Sequence, residues 1–268
     1  MGVIMPARYR ELTYDAPLST PIKNQAWIAE RDSDWRVVMF PGTPARKYLF
    51  ERMLRIAPDD LEVVLLARPG YGRGHRRAYL DFNDQVAAAK PFLDGDKKVV
   101  ALGVSYGGEL ALKTLVDHPA MVKGAVTVAA LITEPRPWVQ PFVDLGGAPV
   151  VRSLLPRTLH HARAEVAGRR EQIGPLFGRL KEVTAPVTIL HGDVDHLVGM
   201  NDARALRGYF GADADVEFRH IRGGTHFLEM QFPRLVFDAV KGVIARAEGP
   251  AKRPQSRSQR LPESRHVS

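Results

Sequence analysis

The stretch KKVVALGVSYGGELALKTLVDH (residues 97–118) decides the reading of this chain. An apolar, β-branched run over 97–103 gives way within three residues to a helical pattern that starts at Tyr106, and Ser105 stands at the turn between them. So sharp a strand-to-helix turn drives its central residue towards unfavourable backbone angles. It also brings strand and helix close together, so the residues two positions either side must be small, and both are glycine, Gly103 and Gly107. The turn exposes the serine hydroxyl and aims the helix N-terminus at it, where backbone donors and the dipole favour developing negative charge.

Working outward, further short apolar runs lie at 35–40, 61–67, 122–130, 185–192 and 214–221. They are nearly continuous in hydrophobicity, as strands covered by helices on both faces should be. Helical patterns are predicted at 45–57, 79–93, 106–117, 201–210 and 228–247. Strands alternating with helices of this length imply βαβ crossovers and a mostly parallel central sheet flanked by helices, an α/β fold. Residues 10–15 and 23–30 alternate more strictly and predict an antiparallel edge hairpin.

One stretch breaks the rhythm. Residues 132–185 separate two strands by more than a crossover helix and its loops require, and they open on EPRPWVQP. The expected organisation is a core over 1–131, an inserted cap over 132–185 with helical pieces near 151–167 and 168–181, the rest of the core over 186–248, and a disordered basic tail over 249–268. Trp138 and Phe142 of the cap are candidates for lining a substrate pocket, or equally for packing within the cap itself.

The 268 residues carry a net charge of +8 and contain no cysteine. The lack of cysteine excludes a disulfide scaffold, thiolate-bound metal and a thiol nucleophile. Half of the excess charge sits in residues 249–268, with five basic and one acidic side chain, so the folded body is only mildly basic. That tail has no aromatic residue for base stacking, which argues against specific nucleic-acid binding. No window holds the ~18 apolar residues of a membrane span, and the first residues carry no secretory signal pattern, so a cytoplasmic location is expected. Oligomeric state is not readable from these features.

A serine hydroxyl is a weak nucleophile at neutral pH, so it needs a base, and the base needs an orienting acid. The run VTILHGDVDHLV (187–198) ends with Asp193 and Asp195, and IRGGTHFLEM (221–230) places His226 after two glycines. The chain order serine, acid, histidine is that of the α/β-hydrolases. GVSYGG, HGDVDHLV and GGTHF resemble that family's nucleophile elbow, acid loop and histidine loop, and 35–246 follow its layout. The resemblance is to the serine hydrolases, esterases and lipases of this fold, and it implies Ser105, Asp195 and His226 as the catalytic residues. By the family's spacing the acid stands three residues after Gly192 and three before Val198, which favours Asp195 over Asp193.

The resemblance further implies an oxyanion hole from the backbone N–H groups of Tyr106 and Thr43, although Pro41-Gly42 replaces the family's common His-Gly. The loop ARPGYGRGHRR (67–77) should border the same cleft. Its Arg68 either attracts an anionic acyl substrate or belongs to a solvated surface loop, and charge runs more often face water. No phosphate-binding fingerprint or metal-ligand spacing appears, so no cofactor and no metal are expected. The implied function is hydrolysis of a carboxylic ester or related acyl compound. A thioesterase, lactonase or carbon–carbon bond hydrolase would use the same residues, and a non-catalytic binding protein on this fold is the competing class. Dehalogenase and epoxide hydrolase chemistry is disfavoured, because those relatives carry Asp where this chain has Ser105.

Overall fold

Val37 and Met39 face one way from their strand, Val38 and Phe40 face the other, and all four are buried. That double burial explains why the strand runs read as continuously apolar rather than alternating. The computed structural model describes residues 9–131 and 156–249. Its eight strands are β1 (Arg10–Ala16), β2 (Ile22–Ala29), β3 (Trp35–Phe40), β4 (Glu62–Leu66), β5 (Lys98–Val104), β6 (Val122–Val128), β7 (Val187–Gly192) and β8 (Val216–Ile221). They form one sheet in the order β1-β2-β4-β3-β5-β6-β7-β8. The β1–β2 and β2–β4 pairs are antiparallel, and β3 to β8 run parallel. The hairpin and the mostly parallel α/β sheet are thus as expected.

Helices cover both faces. On one face α1 (Lys47–Arg55) and α9 (Pro233–Glu248) bury Phe50, Met53, Val236 and Val240 against the sheet. On the other, α4 (Tyr106–Asp117) buries Leu110, Ala111 and Leu115, and α2 (Phe82–Ala87) adds Phe82 and Val86. The 201–210 run becomes α7 (Met200–Ala205) and a 3-10 turn at Leu206–Tyr209. Two other predicted helices are interrupted. The 79–93 run becomes α2 and α3 (Lys90–Leu93), with Pro91 in the first turn of α3. The 228–247 run becomes α8 (Leu228–Gln231) and α9, which starts at Pro233. In both, proline lacks the N–H that an unbroken helix would use and fits only near a helix start.

Of the expected insertion, the described part forms α5 (Arg157–Gly168), α6 (Arg170–Arg179) and a 3-10 turn at Leu180–Glu182. Residues 132–155, with Trp138 and Phe142, lie outside the described residues, as does the tail beyond Gly249. Arg169, between α5 and α6, is fully buried, pairs with Glu109 of α4 and donates to the Leu131 carbonyl at 2.6 Å. The junction of α5 and α6 is therefore anchored to the helix that follows Ser105.

The chain leaves β3 towards β4 on one side and returns to β5 on the other, so strand order reverses at the carboxyl ends of β3 and β5. Open α/β sheets bind ligands at such a point. The fit here is tight: a Cβ added to Gly107 would lie 2.0 Å from the Phe40 carbonyl oxygen, and one on Gly103 would lie 2.0 Å from that of Gly107. By contrast, a Cβ on the exposed Gly178 of α6 would meet nothing within 4 Å. We expect Gly107→Ala to destabilise the protein by at least ~3 kcal/mol, since backbone must move to admit the methyl group. Gly178→Ala should instead stabilise it by about 0.5–1 kcal/mol through helix propensity. Urea unfolding monitored by circular dichroism measures both.

Candidate active site

Ser105 has φ 51° and ψ −123°, a strained conformation for a residue with a side chain. Such a backbone costs about 1–3 kcal/mol and persists only where its surroundings over-determine it. They do so here. The Ser105 N–H donates to the Val128 carbonyl at 2.9 Å, and its own carbonyl accepts from Gly108 at 2.8 Å and Leu131 at 3.2 Å. The side chain is only partly buried, at the start of α4.

The acid and the base arrive on adjoining loops after β7 and β8. A Cβ on Gly192 would lie 2.1 Å from the Gly224 carbonyl oxygen. Asp193 N–H donates to the Ile221 carbonyl and Val194 N–H to that of Gly224, so the two loops are stitched together by backbone. This brings Asp195 Oδ2 to 2.8 Å from His226 Nδ1. Its other oxygen accepts from Leu197 N–H at 2.8 Å and Val198 N–H at 2.9 Å. Burial pushes the Asp195 carboxyl up, but the His226 bond and the two backbone donors outweigh it and hold the group below its ordinary value. Asp193 instead accepts from Gly223 N–H at 2.7 Å and faces His220, closing the turn on the exposed side. Behind Asp195, burial holds His191 below the usual histidine range, so a neutral ring backs the carboxylate.

Ser105 and His226 line one cavity with Gly42, Thr43 and Glu229. Gly42 lies against the elbow: a Cβ at that position would fall 3.1 Å from Ser105 Cβ and 3.8 Å from its Oγ. The loop Pro41–Thr43 is thereby set beside the serine, as the oxyanion assignment of Thr43 and Tyr106 requires. The Thr43–Pro44 peptide is cis.

Arg68 neither lines the cavity beside Ser105 nor meets solvent, contrary to both readings of its loop. It is fully buried, donates from Nε to the Pro41 carbonyl at 2.8 Å and from Nη2 to that of Gly42 at 2.9 Å, and forms a two-pronged pair with Glu165 of α5. Glu165 also accepts from Thr43 Oγ1 at 2.5 Å and the Tyr71 hydroxyl at 2.8 Å. One buried guanidinium and one buried carboxylate thus hold the loop beside Ser105 from beneath. Burial is possible because each charge finds the other, and the guanidinium also takes the two main-chain carbonyls. The exposed Arg73 keeps the solvated role that charge runs usually have, 3.5 Å from Glu11. Sequence reading passes over Glu165, Tyr71 and Glu229. The signal for Glu165 is its place one turn from His161 on α5: both are buried, and His161 Nδ1 lies 2.9 Å from the Gly70 carbonyl.

The comparisons with known proteins agree with this fold. Residues 37–239 match the model of the alpha/beta hydrolase family, and the chain belongs to that family. Its fold is similar to that of the peroxisomal alpha-beta-hydrolase Lpx1 from Saccharomyces cerevisiae, with 14% identity, TM-score 0.69 and 93% of each chain covered. It is similar to a putative aryl esterase from Burkholderia cenocepacia, at 16% identity and TM-score 0.66 over 90% of this chain and 100% of that one. The haloalkane dehalogenase DatA from Agrobacterium tumefaciens C58 also shares the fold, at 14% identity and TM-score 0.68 over 88% and 97%. No curated protein matches the sequence. Among the described residues no helix is long and apolar enough to cross a membrane.

Removing one member of the Arg68–Glu165 pair strands the other charge in the interior. Arg68→Met and Glu165→Leu should each cost about 3–5 kcal/mol, and the double variant clearly less than their sum. A double-mutant cycle of urea midpoints checks this, and strict additivity would show the two groups to be uncoupled.

Proposed function

We propose that the protein is a serine hydrolase that cleaves a carboxylic ester or related acyl bond through a Ser105–His226–Asp195 triad. The observation that carries the reading is the 2.8 Å bond from His226 Nδ1 to Asp195, with His226 sharing a cavity wall with Ser105. With Nδ1–H given to Asp195, the tautomer that leaves Nε2 free to accept a proton is favoured. Ser105 Oγ then attacks the carbonyl carbon while Nε2 takes its proton. The N–H groups of Tyr106 and Thr43 receive the oxyanion, and the end of α4 adds its dipole. Collapse expels the alcohol, which takes the proton from the imidazolium. Water, deprotonated by the same nitrogen, releases the acid from the acyl-enzyme.

In this reading the substrate is a small acyl compound. Thioesters, lactones and activated carbon–carbon bonds would enter the same sequence of steps. The serine at the elbow argues against the displacement chemistry that the dehalogenase name denotes, because an attacking carboxylate is missing at that position.

A fluorophosphonate probe should label Ser105 and nothing else, and Ser105→Ala should lose both labelling and turnover of short p-nitrophenyl esters. Asp195→Asn should lower kcat by about 10³–10⁴-fold, because the amide favours the wrong imidazole tautomer. If Ser105→Ala hydrolyses such esters as fast as the parent, the mechanism is wrong.

A further inference from the structure

The cavity beside Ser105 is walled by apolar groups, among them Pro44, Leu49, Phe50, Val104 and Phe227. Among the described residues Glu229 is the one carboxylate in that wall. It is buried, at 2% exposure, and its Oε2 has no hydrogen-bond partner. The other buried carboxylates of the described residues are all engaged. Glu62 meets Arg36 and Lys97, Glu109 meets Arg169, Glu165 meets Arg68, and Asp195 meets His226. On the neighbouring helix α1, Arg52 donates to the Met230 carbonyl rather than to this carboxyl. A buried polar atom with no partner is unfavourable, and in a ligand-binding cavity its natural partner is the ligand.

We propose that Glu229 is a specificity-determining residue whose free oxygen accepts a hydrogen bond from the substrate, so that the preferred acyl compounds carry a hydroxyl or amino group near the scissile carbonyl. The inference rests on the serine-hydrolase reading and narrows its substrate class. Glu229 stands three residues beyond His226, at the start of α8, so a substrate held at Ser105 lies along the same wall. The rest of that wall fits an apolar chain, which leaves the carboxyl as the feature that tells one short acyl group from another of equal shape. Burial raises the carboxyl to about 7. Near neutral pH the ionised form is therefore still present, and it accepts from a hydroxyl or pairs with an ammonium.

The test uses p-nitrophenyl esters of equal shape that carry a methyl, hydroxyl or ammonium group on carbon 2 or carbon 3 of the acyl chain. At one of these positions the parent should turn over the hydroxyl or ammonium ester with kcat/KM at least about tenfold above its methyl counterpart. Glu229→Leu should reverse that order, gaining on the methyl ester as the cavity becomes wholly apolar. Glu229→Gln keeps an acceptor without a charge, so it should retain a hydroxyl preference and lose an ammonium one, which separates the two donor classes. The proposal is overturned if the parent shows no preference at either position, or if both variants keep the parent's ratios. Fluorophosphonate labelling of Ser105 in each variant reports an intact elbow. Loss of ester turnover dependence on Ser105 in the parent would instead sink the hydrolase reading itself.

Discussion

The distance between the first turn of α4 and the end of β3 governs the rest of this structure. Gly107 lies so close to the Phe40 carbonyl that no side chain fits between them. The same approach sets Ser105 at positive φ, lifts its hydroxyl out of the sheet and brings Gly42 against it. Backbone strain of about 1–3 kcal/mol at one residue is sustained by an extensive two-faced core, and three main-chain hydrogen bonds fix the serine peptide in place. Without the reversal of strand order between β3 and β5, the serine and the loop that faces it would not share one edge of the sheet.

What could be read from the sequence follows from the range of the interactions involved. The strands are legible because each is buried on both faces, and burial on both faces shows as an unbroken apolar run. The elbow is legible because its constraint is local, one serine with a glycine two positions either side. Asp195 and His226 stand out only by resemblance to a family's order and spacing of loops, and the structure brings the two side chains within 2.8 Å on turns that directly follow strands. Arg68 misleads. In sequence it opens a basic loop and suggests attraction of anions, and nothing nearby shows that a carboxylate 97 positions further on will meet it in the interior. Glu165 is invisible for the same reason, as its partners come from other, distant segments. The split helices have a visible cause in Pro91 and Pro233, but apolar periodicity runs through a proline without marking the break.

Helices α5 and α6 are tied to the rest of the fold by charge as well as by apolar contact. Arg169 crosses to Glu109 and the Leu131 carbonyl, and Glu165 crosses to Arg68, Tyr71 and Thr43. Glu109 lies four positions beyond Ser105, and Thr43 belongs to the loop beside it. A displacement of α5 would therefore reach the Thr43 backbone through a buried, hydrogen-bonded pair rather than through adaptable side chains. Replacing such a pair with apolar groups can preserve stability. It would not reproduce the directional bonds to the Pro41 and Gly42 carbonyls that orient the loop.

Three carboxylates around the candidate site show how environment separates identical chemistry. Glu165 is enclosed by a guanidinium and two hydroxyls and serves to hold backbone. Asp195 is also buried, but one histidine and two main-chain donors keep it ionised, which suits a group that must orient an imidazole and stabilise its charged form. Glu229 has neither cation nor donor on its free oxygen, and burial raises it to about 7. Groups whose surroundings push their ionisation apart divide the tasks of a site between them. On that logic Asp195, held ionised against His226, and Glu229, raised by burial, differ in what they can offer at the cavity. Glu229 keeps one oxygen, Oε2, that finds no partner in the fold, and that is the feature on which the proposed substrate reading rests.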